Sequence, residues 1–270
     1  MADPGSLLAH QRRALILEEV RRRGGVRVNE LTRTLNVSDM TVRRDLDILA
    51  REGWLRKVHG GAVLGEEPSS HEPGFETKAE WETAAKNAIA RAAAALVAPG
   101  SAIALSAGTT THALARELTE VPDLTVVTNS IRTAGVFEAA GRTGSTPTVI
   151  LTGGIRTPSD ALVGPIADQA IRSLHVDVLF LGCHGLGLTT GLTTPNLAEA
   201  ETNRTFLGSA RRTVLLADQT KWSSVGLTTF ATLDQIDVLV TDNLPKDEAA
   251  AVTERVGDVL LAPGPAEGTL

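Results

Sequence analysis

A capped basic helix running directly into a two-glycine basic hairpin, within residues 37–62, constrains this chain more than any other feature. Ser38 is placed to accept a hydrogen bond from a first-turn N–H, and Gly53 suits the left-handed residue past a helix end, so the spacing predicts a helix over 39–52. Val42, Leu46 and Leu49 recur at helical spacing and face a core, which turns Arg43, Arg44, Asp47 and Arg51 toward solvent or a partner. Residues 54–58 read as a strand, His59-Gly60-Gly61 as a turn and 62–64 as the returning strand. Upstream, 12–23 carries Ile16, Leu17 and Val20 on one face and 28–35 carries Val28, Leu31 and Leu35, with the break at Gly24-Gly25. Asn36-Val37-Ser38 has the length of a helix-turn-helix turn. The alternative, a three-helix core with an idle charged surface, leaves unexplained why basic residues occupy both the helix face and the hairpin. A DNA recognition helix followed by a wing explains both. The expected contacts are Ser38, Met40, Thr41, Arg43 and Arg44 on the helix and Arg56, Lys57 and His59 on the wing. Long basic side chains are expected on phosphates, and Met40 and Thr41 at base edges.

These residues resemble the amino-terminal pattern of the DeoR family of bacterial transcriptional regulators. The matching positions are Val37, Ser38, Thr41, Arg43-Arg44-Asp45-Leu46, Gly53, Leu55, Arg56 and His59-Gly60-Gly61-Ala62. The resemblance extends through almost the whole chain and implies an operator-binding regulator.

The overall charge of −6 argues against nucleic acid until it is divided. Residues 1–64 hold 12 Lys/Arg against 8 Asp/Glu, whereas 65–270 hold 14 against 24, so the positive charge gathers at the predicted DNA module. The single cysteine, Cys183, excludes an internal disulfide and a multi-cysteine zinc site, and no metal or cofactor is expected. No apolar run approaches the ~20 residues that span a bilayer and no export signal is visible, so a cytoplasmic protein without membrane contact is expected. The prolines, glycines and polar residues of 65–76 read as a linker between a winged module, 1–64, and a second domain, 77–270. An alanine-rich helix is predicted over 77–97, with Trp81, Ala84, Ala88 and Ala92 at repeating positions, serving as a connector or a subunit contact.

Beyond Ser101 short apolar runs alternate with helical patterns, the signature of an α/β domain with an open, mostly parallel sheet. Strands are predicted at 102–105, 124–128, 148–151, 176–181, 213–217, 236–240 and 259–261, and helices at 110–118, 131–140, 166–174, 197–210 and 245–256. Ligands bind such sheets beyond the carboxyl ends of the strands. Those ends are polar: Ser106 to Thr111 with Gly108-Thr109-Thr110 entering a helix, then Thr128-Asn129-Ser130, Gly153-Gly154, Gly182-Cys183-His184-Gly185 and Asp218-Gln219-Thr220-Lys221. A helix start with glycine and threonine suits phosphate, although it is neither a nucleotide-triphosphate loop nor a dinucleotide fingerprint. Taken singly, each end has a plainer reading: threonine caps after the first strand, a helix cap at Asn129, a packing role for His184, a surface ion pair for Asp218 and Lys221. Five such ends on one edge favour a phosphate-accepting cleft.

The same segments resemble the effector domain of the DeoR family, whose fold is shared with ribose-5-phosphate isomerase. The resemblance covers Gly108-Thr109-Thr110, Thr128-Asn129-Ser130, Gly153-Gly154, Asp177, Gly191-Leu192-Thr193, Asp218 and Lys221, and Ser106 stands where many members have aspartate. It implies a pocket for a phosphorylated sugar, with Ser106, Gly108, Thr109, Thr110, Asn129, Gly153, Gly154, Asp177, His184, Gly185, Glu199, Asp218 and Lys221 as candidate contacts. A sugar-phosphate isomerase, with Glu199 or Glu201 as base and Lys221 stabilising the enediolate, is one alternative; a second domain that only oligomerises is another. The preferred reading is a homo-oligomer, dimer or tetramer, that binds double-stranded operator DNA, probes metabolite level through a phosphorylated sugar and represses a carbohydrate-metabolism operon.

Overall fold

The computed structural model describes residues 8–51, 54–64, 69–72, 74–141 and 147–262, and the chain divides into two compact units, Met1–Pro68 and Ser69–Leu270. Glu52 and Gly53, expected to close the recognition helix, lie outside the described residues, as do 65–68 and 263–270.

The first unit runs α1 (Ala9–Arg23), β1 (Gly25–Arg27), α2 (Val28–Leu35), α3 (Asp39–Arg51), β2 (Leu55–Val58) and β3 (Gly61–Leu64). Gly24 ends α1 at φ 72° and Asn36 ends α2 at φ 50°, both left-handed, so the chain turns sharply after each helix. Ile16, Leu17, Val20, Leu31, Leu35, Val42, Leu46 and Leu49 are all buried, which is the apolar stripe of three helices closing on one core. β1 is absent from the sequence reading. Its three residues pair antiparallel with β3 and turn the hairpin into a three-stranded sheet of order β1-β3-β2. So short a strand carries no alternation to read and exists only through its partner. Asp45, in the middle of the basic run, is buried and accepts a hydrogen bond from Arg12 Nε at 2.6 Å, so it ties α3 to α1 and does not face solvent.

The second unit begins with α4 (Phe75–Ala79) and α5 (Thr83–Ala94), followed by β4 (Ala102–Leu105), α6 (Thr109–Glu117), β5 (Thr125–Thr128), α7 (Ile131–Ala140) and β6 (Thr148–Leu151). A ribbon of β7 (Ile155–Arg156) and β8 (Leu162–Val163) leads to α8 (Pro165–Arg172) and β9 (Val176–Leu181). Then come β10 (Gly185–Gly187), β11 (Gly191–Thr194), α9 (Leu197–Ser209), β12 (Ala210–Leu216), β13 (Thr228–Ala231), β14 (Val238–Thr241), α10 (Ala249–Arg255) and β15 (Asp258–Leu261).

Seven strands form one wholly parallel sheet of order β15-β14-β12-β9-β4-β5-β6. Successive residues point to opposite faces and both faces are covered. Ile103, Leu105, Val126, Phe180, Val214 and Val238 pack against α5, α6 and α7, while Ala104, Val127, Leu179, Leu181, Leu215 and Leu239 pack against α8, α9 and α10. Two-sided burial is why these strands read as unbroken apolar runs. The order reverses between β4 and β9, since the chain builds outward through β5 and β6 on one side and through β12, β14 and β15 on the other. Such a switch point opens a crevice at the carboxyl ends of the two central strands. β10, β11 and β13 form a separate antiparallel sheet that the sequence reading did not include.

Two expectations near the boundary are corrected. The single helix over 77–97 is broken at 80–82, where Glu82 adopts φ 48°, and its buried face is Ala85, Lys86, Ala88, Ile89 and Ala93 while Ala84 is exposed. An alanine-rich stretch hides its phase, because alanine is tolerated on either face. The expected linker 65–76 is not free of packing in its second half. Glu72 accepts from the Ser159 N–H at 3.1 Å and Asn196 Nδ2 at 2.9 Å, and Phe75 is buried edge-on to His112 with ring centroids 5.4 Å apart.

Candidate functional site

The face of α3 is set by its cap. Ser38 Oγ accepts from the Thr41 N–H at 3.2 Å and shares a 2.8 Å hydrogen bond with Thr41 Oγ1, which fixes the first turn. Met40 beside it is 80% exposed, a large apolar side chain that no core residue covers. Arg43 is exposed and forked onto Asp39, with bonds of 2.5 and 3.3 Å that raise its pKa, and Lys57 on the wing pairs with Asp47 of the helix. Arg44, Arg56 and His59 are exposed, and Arg44 and Arg56 form no ion pair among the described residues. All eight predicted positions therefore lie at the capped start of α3, on α3 itself or on the β2-β3 hairpin, and none of them is buried.

In the second unit the residues after β4 and β9 form a cleft whose walls include Gly108, Thr109, Thr110 and Thr111, Gly182, Cys183 and His184. Lys221, Glu199, Asn203, Thr194 and Lys78 also line it. The first N–H groups of α6, at Thr109 to Thr111, have no acceptor within the helix and carry the positive end of its dipole. Burial pushes the Cys183 thiol up to about 12, so it lines the cleft as a neutral group. Asp218 is fully buried: one carboxylate oxygen accepts from the Thr220 N–H and hydroxyl, and the other lies 3.9 Å from Lys221 Nζ. Burial works to raise its pKa, but Lys221, Lys86 and the Thr220 bonds outweigh it and hold the carboxyl below its usual range. Glu199 moves the other way, since burial raises it more than Lys78 and the hydroxyls of Ser159 and Thr194 lower it.

Six of the thirteen predicted cleft residues line this cavity: Gly108, Thr109, Thr110, His184, Glu199 and Lys221. The other seven do different work. Ser106 Oγ accepts from the Gly182 N–H at 3.1 Å and clamps β4 to β9. Asn129 Oδ1 accepts from the Ala107 N–H at 2.8 Å while its Nδ2 donates to the Leu162 carbonyl at 3.0 Å, so it holds the cleft loop from behind. Gly153 and Gly154 turn at φ 72° and 122°, and a Cβ on Gly154 would stand 2.7 Å from the Val163 carbonyl. Gly185 likewise admits the Ser224 carbonyl, 2.0 Å from where its Cβ would be. Asp218 acts through Lys221. Asp177 lies at the opposite, amino end of the sheet, where it accepts from the Ala102 N–H at 2.9 Å. Buried polar groups need partners, and for Ser106 and Asn129 the partner is backbone.

Lys78, Asn203, Thr194 and Lys86 escaped the sequence reading. Lys86 is buried, donates from Nζ to the carbonyls of Lys78 and Trp81 at 2.5 Å each, and is pushed by burial and by Lys221 down to about 7. A signal for it existed, because Lys86, Ile89 and Ala93 share one helical face, and a lysine among buried positions is unusual.

Residues 12–67 match the DeoR-like helix-turn-helix domain and 81–243 the DeoR C terminal sensor domain. A putative aga operon transcriptional repressor of Escherichia coli O157:H7 is 32% identical over 255 residues, covering 93% of each chain. The HTH-type transcriptional regulator GolR of Listeria innocua is 37% identical over 221 residues, covering 81% of this chain and 84% of its own. Ribose 5-phosphate isomerase A from Methanocaldococcus jannaschii superposes with a TM-score of 0.37 at 19% identity, covering 51% of this chain and 53% of that one, which is too slight a likeness to argue from. The two domain matches and the relatives matched over most of their length together make this chain a member of the DeoR family, a DNA-binding transcriptional regulator with a helix-turn-helix domain followed by a sensor domain.

Proposed function

We propose that the cleft binds a phosphorylated sugar without turning it over, and that its occupancy controls how a homo-oligomer holds operator DNA of a carbohydrate-metabolism operon. The observation that carries this reading is the set of polar groups that line the cleft. The α6 start and Lys221 present donors and a cation, which suit a phosphate dianion; Glu199 and Asn203 present a carboxylate and an amide, which suit sugar hydroxyls. Calorimetry against matched pairs of free and phosphorylated sugars tests it. The phosphorylated member should bind about a hundredfold more tightly, since a free sugar leaves a charge-assisted donor set unpaired, worth roughly 3 kcal/mol. Equal affinities, or an isomer accumulating in a long incubation followed by NMR, would refute it.

On the DNA side the ion pairs rank the basic residues. Arg43 and Lys57 must exchange a carboxylate for a phosphate, whereas Arg44 and Arg56 have none to release among the described residues. Arg44→Ala should weaken binding to all sequences and flatten the log-log salt dependence by about 0.9 for the lost phosphate contact. Arg43→Ala should do less. Fluorescence anisotropy over a salt series measures both, and an unchanged slope for Arg44→Ala removes it from the interface.

A further inference from the structure

One of the residues that line the cleft comes from the chain ahead of the sheet. Lys78 sits on α4, in the stretch 74–82 that lies on the chain path from the DNA-binding unit into the sensor domain. That stretch is fastened at a few points. Arg132 stands over the Phe75 ring at 4.6 Å and pairs with Glu76 at 2.7 Å, and Lys86 Nζ grips the carbonyls of Lys78 and Trp81. The Lys78 side chain enters the cleft that Lys221 also lines. Lys221 has Asp218 at 3.9 Å; Lys78 forms no ion pair among the described residues, and Glu199, which also lines the cleft, is its main favourable influence.

Two ammonium groups facing one small cleft repel each other, and burial adds to the cost of the second. Both effects lower the Lys78 pKa, with burial the larger. A dianion between them reverses the sign of the interaction for both lysines at once. Building on the phosphate reading above, we propose that Lys78 is the second cation of the anion site, and that an occupied cleft acts on the DNA-binding unit by fixing the 74–82 strap that carries Lys78. Lys221 is anchored within the sensor domain, so it supplies affinity alone. Lys78 supplies affinity and draws its own backbone, held by Lys86 at the carbonyls of Lys78 and Trp81, against the ligand. The DNA-binding unit then leaves the sensor domain from a fixed segment when the cleft is filled and from a looser one when it is empty.

The test uses the full chain with inorganic phosphate as probe, against chloride at equal ionic strength. Phosphate should slow hydrogen exchange of the amides of 74–82 in the wild type by about tenfold or more, because bound ligand must leave before the strap opens. Lys78→Gln should weaken phosphate binding about tenfold to a hundredfold, the loss of one charge-assisted contact, and should abolish the exchange effect. Lys78→Arg should retain both. Phosphate affinity unchanged in Lys78→Gln overturns this inference while leaving the phosphate reading standing. If Lys78→Gln does not fold, the wild-type exchange still decides, since bound phosphate with no slowing at 74–82 overturns it equally. A wild type that binds neither phosphate nor any sugar phosphate removes both.

Discussion

Lys221→Met is expected to lower the unfolding free energy of the sensor domain by about 3 kcal/mol at pH 7, because removing one partner strands a buried charge. Asp218 is 0% exposed, and among the described residues its second carboxylate oxygen has no hydrogen-bond donor and lies 3.9 Å from Lys221 Nζ. Adding Asp218→Asn should recover most of the loss, since the charge that needs compensation is then gone. The pH dependence gives an independent check. The folded pKa of Asp218 is held below its ordinary value, so its contribution is fully present above the usual carboxylate range and disappears as pH falls through the depressed folded value. Below that point the carboxyl is protonated in both states, and wild type and Lys221→Met should converge. Urea unfolding from pH 8 down through the acid range would show it; a Lys221→Met loss under about 1 kcal/mol at pH 7 would rule out the buried pair as a stabilising element.

Gly61→Val should disable the DNA-binding unit and spare the sensor domain. A Cβ on Gly61 would stand 2.1 Å from the Val26 carbonyl oxygen across the β1-β3 ladder, where backbone cannot yield as a flexible side chain does. Forcing the strands apart costs on the order of 3 kcal/mol, a large share of the stability of so small a unit. Gly60→Ala, one residue away, meets nothing within 4 Å and bears only the strain of φ 77°, about 1 kcal/mol. Calorimetry should show the first transition of Gly61→Val moved down or lost with the second intact, and DNA binding gone; wild-type affinity in Gly61→Val would contradict the close approach.

The features read correctly from the residues have causes within a few positions of chain. The Ser38 cap contacts Thr41, three residues on; Val42, Leu46 and Leu49 share a face by helical geometry alone; and the alternation through Ile103, Ala104 and Leu105 is apolar on both sides because each side is covered. The position of the cleft was legible to the same extent, since strand ends and helix starts are local marks and Gly108 to Thr110 opens a helix as its composition requires.

What the residues alone determined is therefore the identity of most elements, the division into a basic module and a larger α/β unit, and the family. The tertiary structure alone decided which polar residues are available to a ligand. Ser106 and Gly182, 76 residues apart, become neighbours only because β4 and β9 pair at the switch point, and that pairing uses the Ser106 hydroxyl on backbone. Asn129 is consumed in the same way, and Asp177 is carried to the wrong end of the sheet. Lys78 makes the opposite journey, from an apparent surface position in an alanine-rich stretch to the wall of the cleft. A polar side chain serves a ligand only when no buried backbone group claims it first, and that competition is settled between segments far apart in the chain, which no local pattern records.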